Sequence, residues 1–283
     1  MEIKKVGVIG CGLMGAGITQ VSAQSGYQVV VLEVNQEFLN KGLASIDRFL
    51  TGSVTRGRLS QVDKDAIIGR IKGTTDNRDF GDCDLIIEAA TENIALKKQI
   101  FADLGKVSAK GAILATNTTC LSVTDIAVVT GKPDKVLGTH FFNPVPLMKL
   151  LEMVRTIMTS DETVATVKAF CESLGKTVVV VKDGPGFISS RLLFPFLLDG
   201  ARMLEAGIGT REDIDTVVKL GLNHPMGPLE LADHIGLDVA VFTSNAMYDE
   251  LKDPRFAVPT IMRKMVTAGW LGRKTGKGFY DYK

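Results

Sequence analysis

Lys5-Val6-Gly7-Val8-Ile9-Gly10-Cys11-Gly12-Leu13-Met14-Gly15 opens the chain with a short apolar run and a glycine-rich turn, and a small-residue stretch that reads as helix follows through Ala23. In a strand–turn–helix unit of this kind the first glycine permits the tight turn. The second lets a pyrophosphate approach the backbone, and the third lets the helix pack close to the strand. The helix start then offers free N–H groups and a partial positive charge to phosphate oxygens. Gly10, Gly12, Leu13, Met14 and Gly15 are therefore the candidate phosphate-facing positions. A second apolar strand, Gln28 to Leu32, is closed by Glu33. A carboxylate there accepts hydrogen bonds from ribose hydroxyls and repels a 2′-phosphate; the plainer alternative is a solvated acid at a strand end. Together these features point to a dinucleotide fold of the NAD type.

Working outward, the pattern of strand and helix continues. Helical periodicity runs over Gln36 to Leu50 and Gln61 to Gly69, with Arg56 and Arg58 flanking Gly57 between them. Arg70 to Thr74, Cys83 to Ala89 and Gly111 to Thr116 read as strands, and Ile94 to Val107 as an amphipathic helix. Near-continuous apolar strands of this kind suit a parallel sheet covered on both faces. The strand–helix–strand pattern is expected to repeat through Lys135 to Thr139 and Met148 to Val154. It ends with a helix at Glu162 to Leu174 and a strand at Thr177 to Val181. The expected fold is a doubly wound α/β domain over 1–184, followed by an all-helical domain over 185–283. The change comes at Lys182-Asp183-Gly184-Pro185-Gly186. Beyond it helical patterns run over Phe187–Ala206, Arg211–Leu220, Pro228–Asp233, Asp238–Leu251 and Pro259–Ala268. The first is apolar on several sides, so it is buried either within one chain or across a dimer interface.

The 283 residues carry 33 basic and 32 acidic side chains, a balance that argues against a nucleic-acid or polyanion surface. No apolar stretch is long enough to span a bilayer, and Met1 to Lys5 runs straight into the first strand without a secretory signal. Cys11, Cys83, Cys120 and Cys171 lack CxxC spacing, which fits reduced thiols in a cytoplasmic protein. Three dispersed histidines without an acidic cluster do not suggest a metal site. His140 alone follows a strand of the nucleotide half; His224 and His234 fall in the helical half. Glu152, on another expected strand, is placed to hold one ring nitrogen of His140, fix its tautomer and stabilise the imidazolium. The stretch Ala115 to Ser122 brings amides and hydroxyls to the same edge.

With these residues in view, the sequence resembles the short-chain L-3-hydroxyacyl-CoA dehydrogenases, which include the bacterial 3-hydroxybutyryl-CoA dehydrogenases. The resemblance runs essentially end to end. It rests on Val8 to Gly15, Ile87-Glu88-Ala89-Ala90-Thr91-Glu92, His140-Phe141-Phe142-Asn143-Pro144, Asn223-His224-Pro225-Met226-Gly227-Pro228 and the tail Gly269 to Tyr280. It implies an NAD-dependent enzyme interconverting an L-3-hydroxyacyl-CoA and its 3-ketoacyl-CoA, as a homodimer through the helical domain. Carried over, His140 is the general acid/base and Glu152 its orienting partner. Glu33 is the ribose-binding acid, Glu92, Lys97, Asn143 and Lys274 meet the nicotinamide half, and Arg56 meets the CoA tail. Two positions depart from the family pattern. Thr119 stands where the active-site serine is expected, keeping the hydroxyl but stiffening χ1. Ser190 stands where an active-site asparagine is expected, with a shorter side chain and no amide donor, so that a water or a shift in geometry fills the gap. Thr119 and Ser190 are counted with the catalytic and substrate-binding residues. Two alternatives stay open: a dehydrogenase of a free hydroxy or sugar acid (the L-gulonate or carnitine type), in which Arg56 has no CoA phosphate to meet, and a non-catalytic NAD(H)-binding protein.

Overall fold

The computed structural model describes residues 2–282, and the chain divides into two compact units, 1–184 and 185–283. In the first, β1 (Lys5–Ile9), α1 (Leu13–Gln24), β2 (Gln28–Leu32), α2 (Gln36–Thr55), α3 (Gln61–Gly69) and β3 (Ile71–Thr74) form one wing. The other wing comprises β4 (Leu85–Glu88), α4 (Ile94–Val107), β5 (Ile113–Thr116), α5 (Val123–Ala127), β6 (Val136–Phe141), β7 (Leu150–Arg155), α6 (Asp161–Ser173) and β8 (Thr177–Lys182). All eight strands join one sheet in the order β3-β2-β1-β4-β5-β6-β7-β8. The order reverses between β1 and β4, which places the ligand crevice outside the carboxyl ends of those two strands. The central strands are buried on both faces, with Leu85, Ile86 and Ile87 wholly shielded. This is why their sequences read as unbroken apolar runs rather than alternating ones.

One expectation is corrected. No helix separates the strand ending at Phe141 from the one starting at Leu150, and β7 runs antiparallel to β6. A parallel crossover needs a dozen or more residues, whereas the connection here is only 142–149. The sheet is therefore mixed. Helix α2 also continues beyond Leu50 to Thr55, carrying Gly52 inside it, so that Arg56 caps its C-terminus.

The second unit contains α7 (Ser189–Glu205), α8 (Arg211–Thr216), α9 (Pro228–Ile235), α10 (Leu237–Leu251) and α11 (Thr260–Thr267), with no strand among the described residues. The expected helix from Arg211 to Leu220 is interrupted, because a π turn over Val217–Gly221 follows α8. Two buried aspartates tie the unit together. Asp215 accepts N–H bonds from Leu229 and Glu230 at 2.9 Å and the Tyr280 hydroxyl at 2.8 Å. Asp233 takes the N–H groups of Phe279 and Tyr280 and the Tyr282 hydroxyl, and burial pushes its carboxyl above the usual range. Asp215 thus caps the first turn of α9 and anchors the tail. Asp215→Ala leaves those donors without their acceptor and is expected to cost roughly 2–3 kcal/mol, read as a lower urea midpoint at unchanged slope.

Candidate active site

The glycine turn is built as the sequence implies. Gly10 has φ +87°, a conformation that side chains rarely adopt, and a Cβ at Gly15 would collide with the Gly10 carbonyl. A Cβ placed on Gly12 would meet nothing within 4 Å, so space lies open above the turn. Helix α1 begins there with no side-chain cap and no acidic residue in its first turn. Its N-terminal dipole therefore stays uncompensated at the place where phosphate oxygens would lie. Leu13 is exposed and Met14 half-buried at that helix start. Glu33 accepts the Cys11 N–H at 2.6 Å and the Val34 N–H at 3.1 Å, locking the turn against the end of β2. Burial, reinforced by Glu33, pushes the Cys11 thiol up to about 12, so it stays protonated at neutral pH. An open glycine cradle, an uncapped helix start and a carboxylate at the next strand end all fit a dinucleotide.

Next along the edge, β4 ends in Glu88, fully buried and ion-paired with the equally buried Lys97 of α4. The Lys97 amine donates to both Glu88 oxygens at 2.7 and 2.9 Å and reaches the Ala90 carbonyl at 3.5 Å. Glu88 also accepts the Ala90 N–H at 2.6 Å and the Thr116 hydroxyl at 2.7 Å. Lys97 further approaches Glu92 at 3.6 Å. The Glu92 carboxylate accepts the Thr118 hydroxyl at 2.6 Å and the Thr119 N–H at 2.8 Å. A buried cation therefore holds two carboxylates, and the second of these shapes the loop carrying Thr119. Thr116 and Thr118 belong to the stretch Ala115 to Ser122 expected at this edge, whereas Glu88 carries no such expectation. Glu88 closes an apolar strand much as Glu33 does, and that parallel was the available signal.

His140 and Glu152 are direct cross-strand partners in the β6–β7 ladder. Their side chains leave the same face, and His140 Nδ1 lies 2.9 Å from Glu152 Oε2 with both residues buried. Antiparallel pairing of β6 and β7 sets the two opposite one another. The Phe142 ring packs beside the imidazole at a centroid distance of 4.5 Å. Asn143 is exposed on the connecting loop just beyond. Cys120, near Thr119, has its thiol pushed up to about 12 by burial and then by the Glu92 charge.

The remaining expected site residues are Arg56, Ser190 and Lys274. Arg56 is exposed at the end of α2. Ser190 and Lys274 belong to the second unit. Ser190 lies buried in the first turn of α7, beside Gly186 and Met247, and Lys274 pairs with Asp238. Phe187, just before α7, has φ +49°. Among the described residues no group of three or more His, Cys, Asp or Glu could hold a metal, and no helix is long and apolar enough to cross a membrane.

Comparison with known proteins accounts for both units. Residues 5–184 match the 3-hydroxyacyl-CoA dehydrogenase NAD-binding domain, and residues 186–282 match the C-terminal domain of the same family. A probable 3-hydroxybutyryl-CoA dehydrogenase of Deinococcus radiodurans is 46% identical over 98% of this chain and 100% of its own. A 3-hydroxybutyryl-CoA dehydrogenase of Mycobacterium tuberculosis is 43% identical over 99% of each chain. The crystal structure of the (S)-3-hydroxybutyryl-CoA dehydrogenase from Ralstonia eutropha superposes with a TM-score of 0.97 at 42% identity, covering 100% of both chains. With both of its units matched, the chain belongs to the 3-hydroxyacyl-CoA dehydrogenase family, and it is an oxidoreductase with NAD as its cofactor.

Proposed function

We propose that the protein interconverts a short-chain L-3-hydroxyacyl-CoA and the corresponding 3-ketoacyl-CoA, with 3-hydroxybutyryl-CoA and acetoacetyl-CoA as its pair. The observation that carries this reading is the buried His140–Glu152 contact at 2.9 Å on the nucleotide edge. Glu152 holds the Nδ1 proton, so Nε2 is the nitrogen that takes the proton from the C3 hydroxyl in oxidation and returns it in reduction. The carboxylate stabilises the imidazolium formed in the first direction. NAD, when bound, supplies the hydride acceptor for C3, or the donor in the reverse reaction. Gly10, Gly12, Leu13, Met14 and Gly15 hold its pyrophosphate, Glu33 the adenosine ribose, and Glu92, Asn143 and Lys274 the nicotinamide half. Lys97, expected among those contacts, acts through Glu88 and Glu92: its side chain is fully buried and holds the two carboxylates at 2.7 and 3.6 Å. The Thr119 hydroxyl and Ser190 orient the substrate oxygen, and Arg56 meets the CoA phosphates.

The second unit is read as the substrate-binding and dimerisation domain. Val217, Leu220 and Leu222, exposed by 65%, 82% and 61%, support a homodimer formed through it. Four free cysteines support a reducing compartment, the cytoplasm.

The proposal is tested by NADH oxidation with acetoacetyl-CoA beside free acetoacetate. Turnover with the thioester alone is expected, and equal turnover with the free acid would favour the hydroxy-acid reading. Two variants refine the test. Glu33→Ala is expected to weaken NADH about tenfold, roughly 1.4 kcal/mol, and to narrow the gap to NADPH, measured by fluorescence titration. Ser190→Asn is expected to raise kcat with acetoacetyl-CoA by about tenfold, within the roughly 3 kcal/mol that one preorganised donor supplies. An unchanged kcat would mean that the contact is already made by water or a neighbour.

A further inference from the structure

We propose that Asn117 is a positioning residue for His140, an inference that rests on His140 being the proton-exchanging group. The β5–β6 ladder ends with Thr116 opposite Gly138. Thr139, His140 and Phe141 therefore extend past the end of β5, although on their other side they remain paired with Met153, Glu152 and Leu151 of β7. The Phe141 N–H lies beyond the last β5 residue of the ladder, and a buried N–H without an acceptor is costly. The Asn117 side chain supplies the missing rung: its Oδ1 accepts the Phe141 N–H at 2.9 Å. Asn117 is itself fixed from the other direction, its backbone N–H donating to the Glu88 carbonyl at 2.7 Å.

The consequence is a continuous tether. Lys97 holds Glu88, Glu88 holds Asn117 through its main chain, and Asn117 holds the residue next to His140. His140 thus sits on a strand end clamped from both sides, with Glu152 on the β7 flank and Asn117 on the β5 flank. Without the amide oxygen the end of β6 is held on one flank only, and the imidazole loses its fixed height above the sheet. Proton transfer tolerates such displacement poorly, because a shift of about 1 Å costs on the order of 10²-fold in rate.

Asn117→Ala, Asn117→Asp and His140→Ala are compared in single-turnover oxidation of NADH by acetoacetyl-CoA, with the NADH Kd measured for each. The alanine variant is expected to slow the single turnover by at least about tenfold while its NADH Kd stays near the wild-type value. The aspartate variant presents an oxygen to the same N–H and is expected to recover most of the rate. A residue that serves stability alone would lower the unfolding midpoint and leave both readouts in place. The proposal is overturned if Asn117→Ala turns over like wild type, or if Asn117→Asp falls as far as alanine. Should the alanine variant not fold, Asn117→Val, β-branched and without an acceptor, is read in its place. His140→Ala separates the two levels: if it keeps the wild-type rate, the reading of His140 fails and the proposal falls with it.

Discussion

His140→Ala is expected to lower kcat for acetoacetyl-CoA reduction by roughly 10²–10⁴-fold, the range that a positioned acid/base supplies, and to leave the NADH Kd unchanged. The separation follows from where the residue sits. His140 belongs to β6 on the far wing of the sheet, whereas the glycine turn and Glu33 belong to β1, α1 and β2. Glu152→Gln is expected to fall between wild type and alanine, because glutamine keeps the shape of the contact but removes the charge that would stabilise an imidazolium. A His140→Ala enzyme within tenfold of wild type would assign the proton to another group, and a non-catalytic NAD(H) binder would show no turnover in either form.

Lys97→Met carries the largest expected loss of stability. Glu88 and Lys97 are both 0% exposed in their side chains, so removing the amine strands a carboxylate that water cannot reach. Breaking such a pair from one side costs about 3–5 kcal/mol, measured as a shift in the urea unfolding midpoint. The double variant Lys97→Met with Glu88→Leu is expected to recover most of this, since the buried carboxylate is gone and Glu92, 28% exposed, stays within reach of water. Its activity is not expected to follow, because Glu92 loses the cation beside the Thr119 loop, and the Ala90 N–H and Thr116 hydroxyl lose their carboxylate acceptor. Recovery of both stability and turnover in the double variant would mean that the pair serves packing only.

Much of this architecture was legible before any coordinates. The glycine turn, Glu33 and the long apolar strands each encode a local requirement: a positive φ at Gly10, a close helix contact at Gly15, and burial on both faces for β4 and β5. Local requirements of that sort leave marks in neighbouring residues. The direction of β7 did not, because its apolar run looks the same in either orientation, and only the short link 142–149 betrays the turn. Lys97 was noticed through resemblance, but its partner Glu88 lies nine residues away across a strand-to-helix connection and carries no periodic signal. Asn117 falls within the stretch Ala115 to Ser122 expected at this edge, but its contact with Phe141 is not legible there. Its role comes from the point at which β5 stops relative to β6, a register that the sequence does not display. Thr119 and Ser190, by contrast, stood out only against a family pattern and not through any physical oddity of their own.

In the proposed mechanism Glu152 fixes His140 with its proton on Nδ1, and Nε2 exchanges the proton with the substrate. Nitrogen-15 NMR of protein labelled at its three histidines, assigned with the His140→Ala variant, measures this directly. Neutral His140 is expected to be the Nδ1-protonated tautomer, with this preference lost in Glu152→Ala. A neutral His140 protonated on Nε2, or a tautomer indifferent to Glu152, would contradict it.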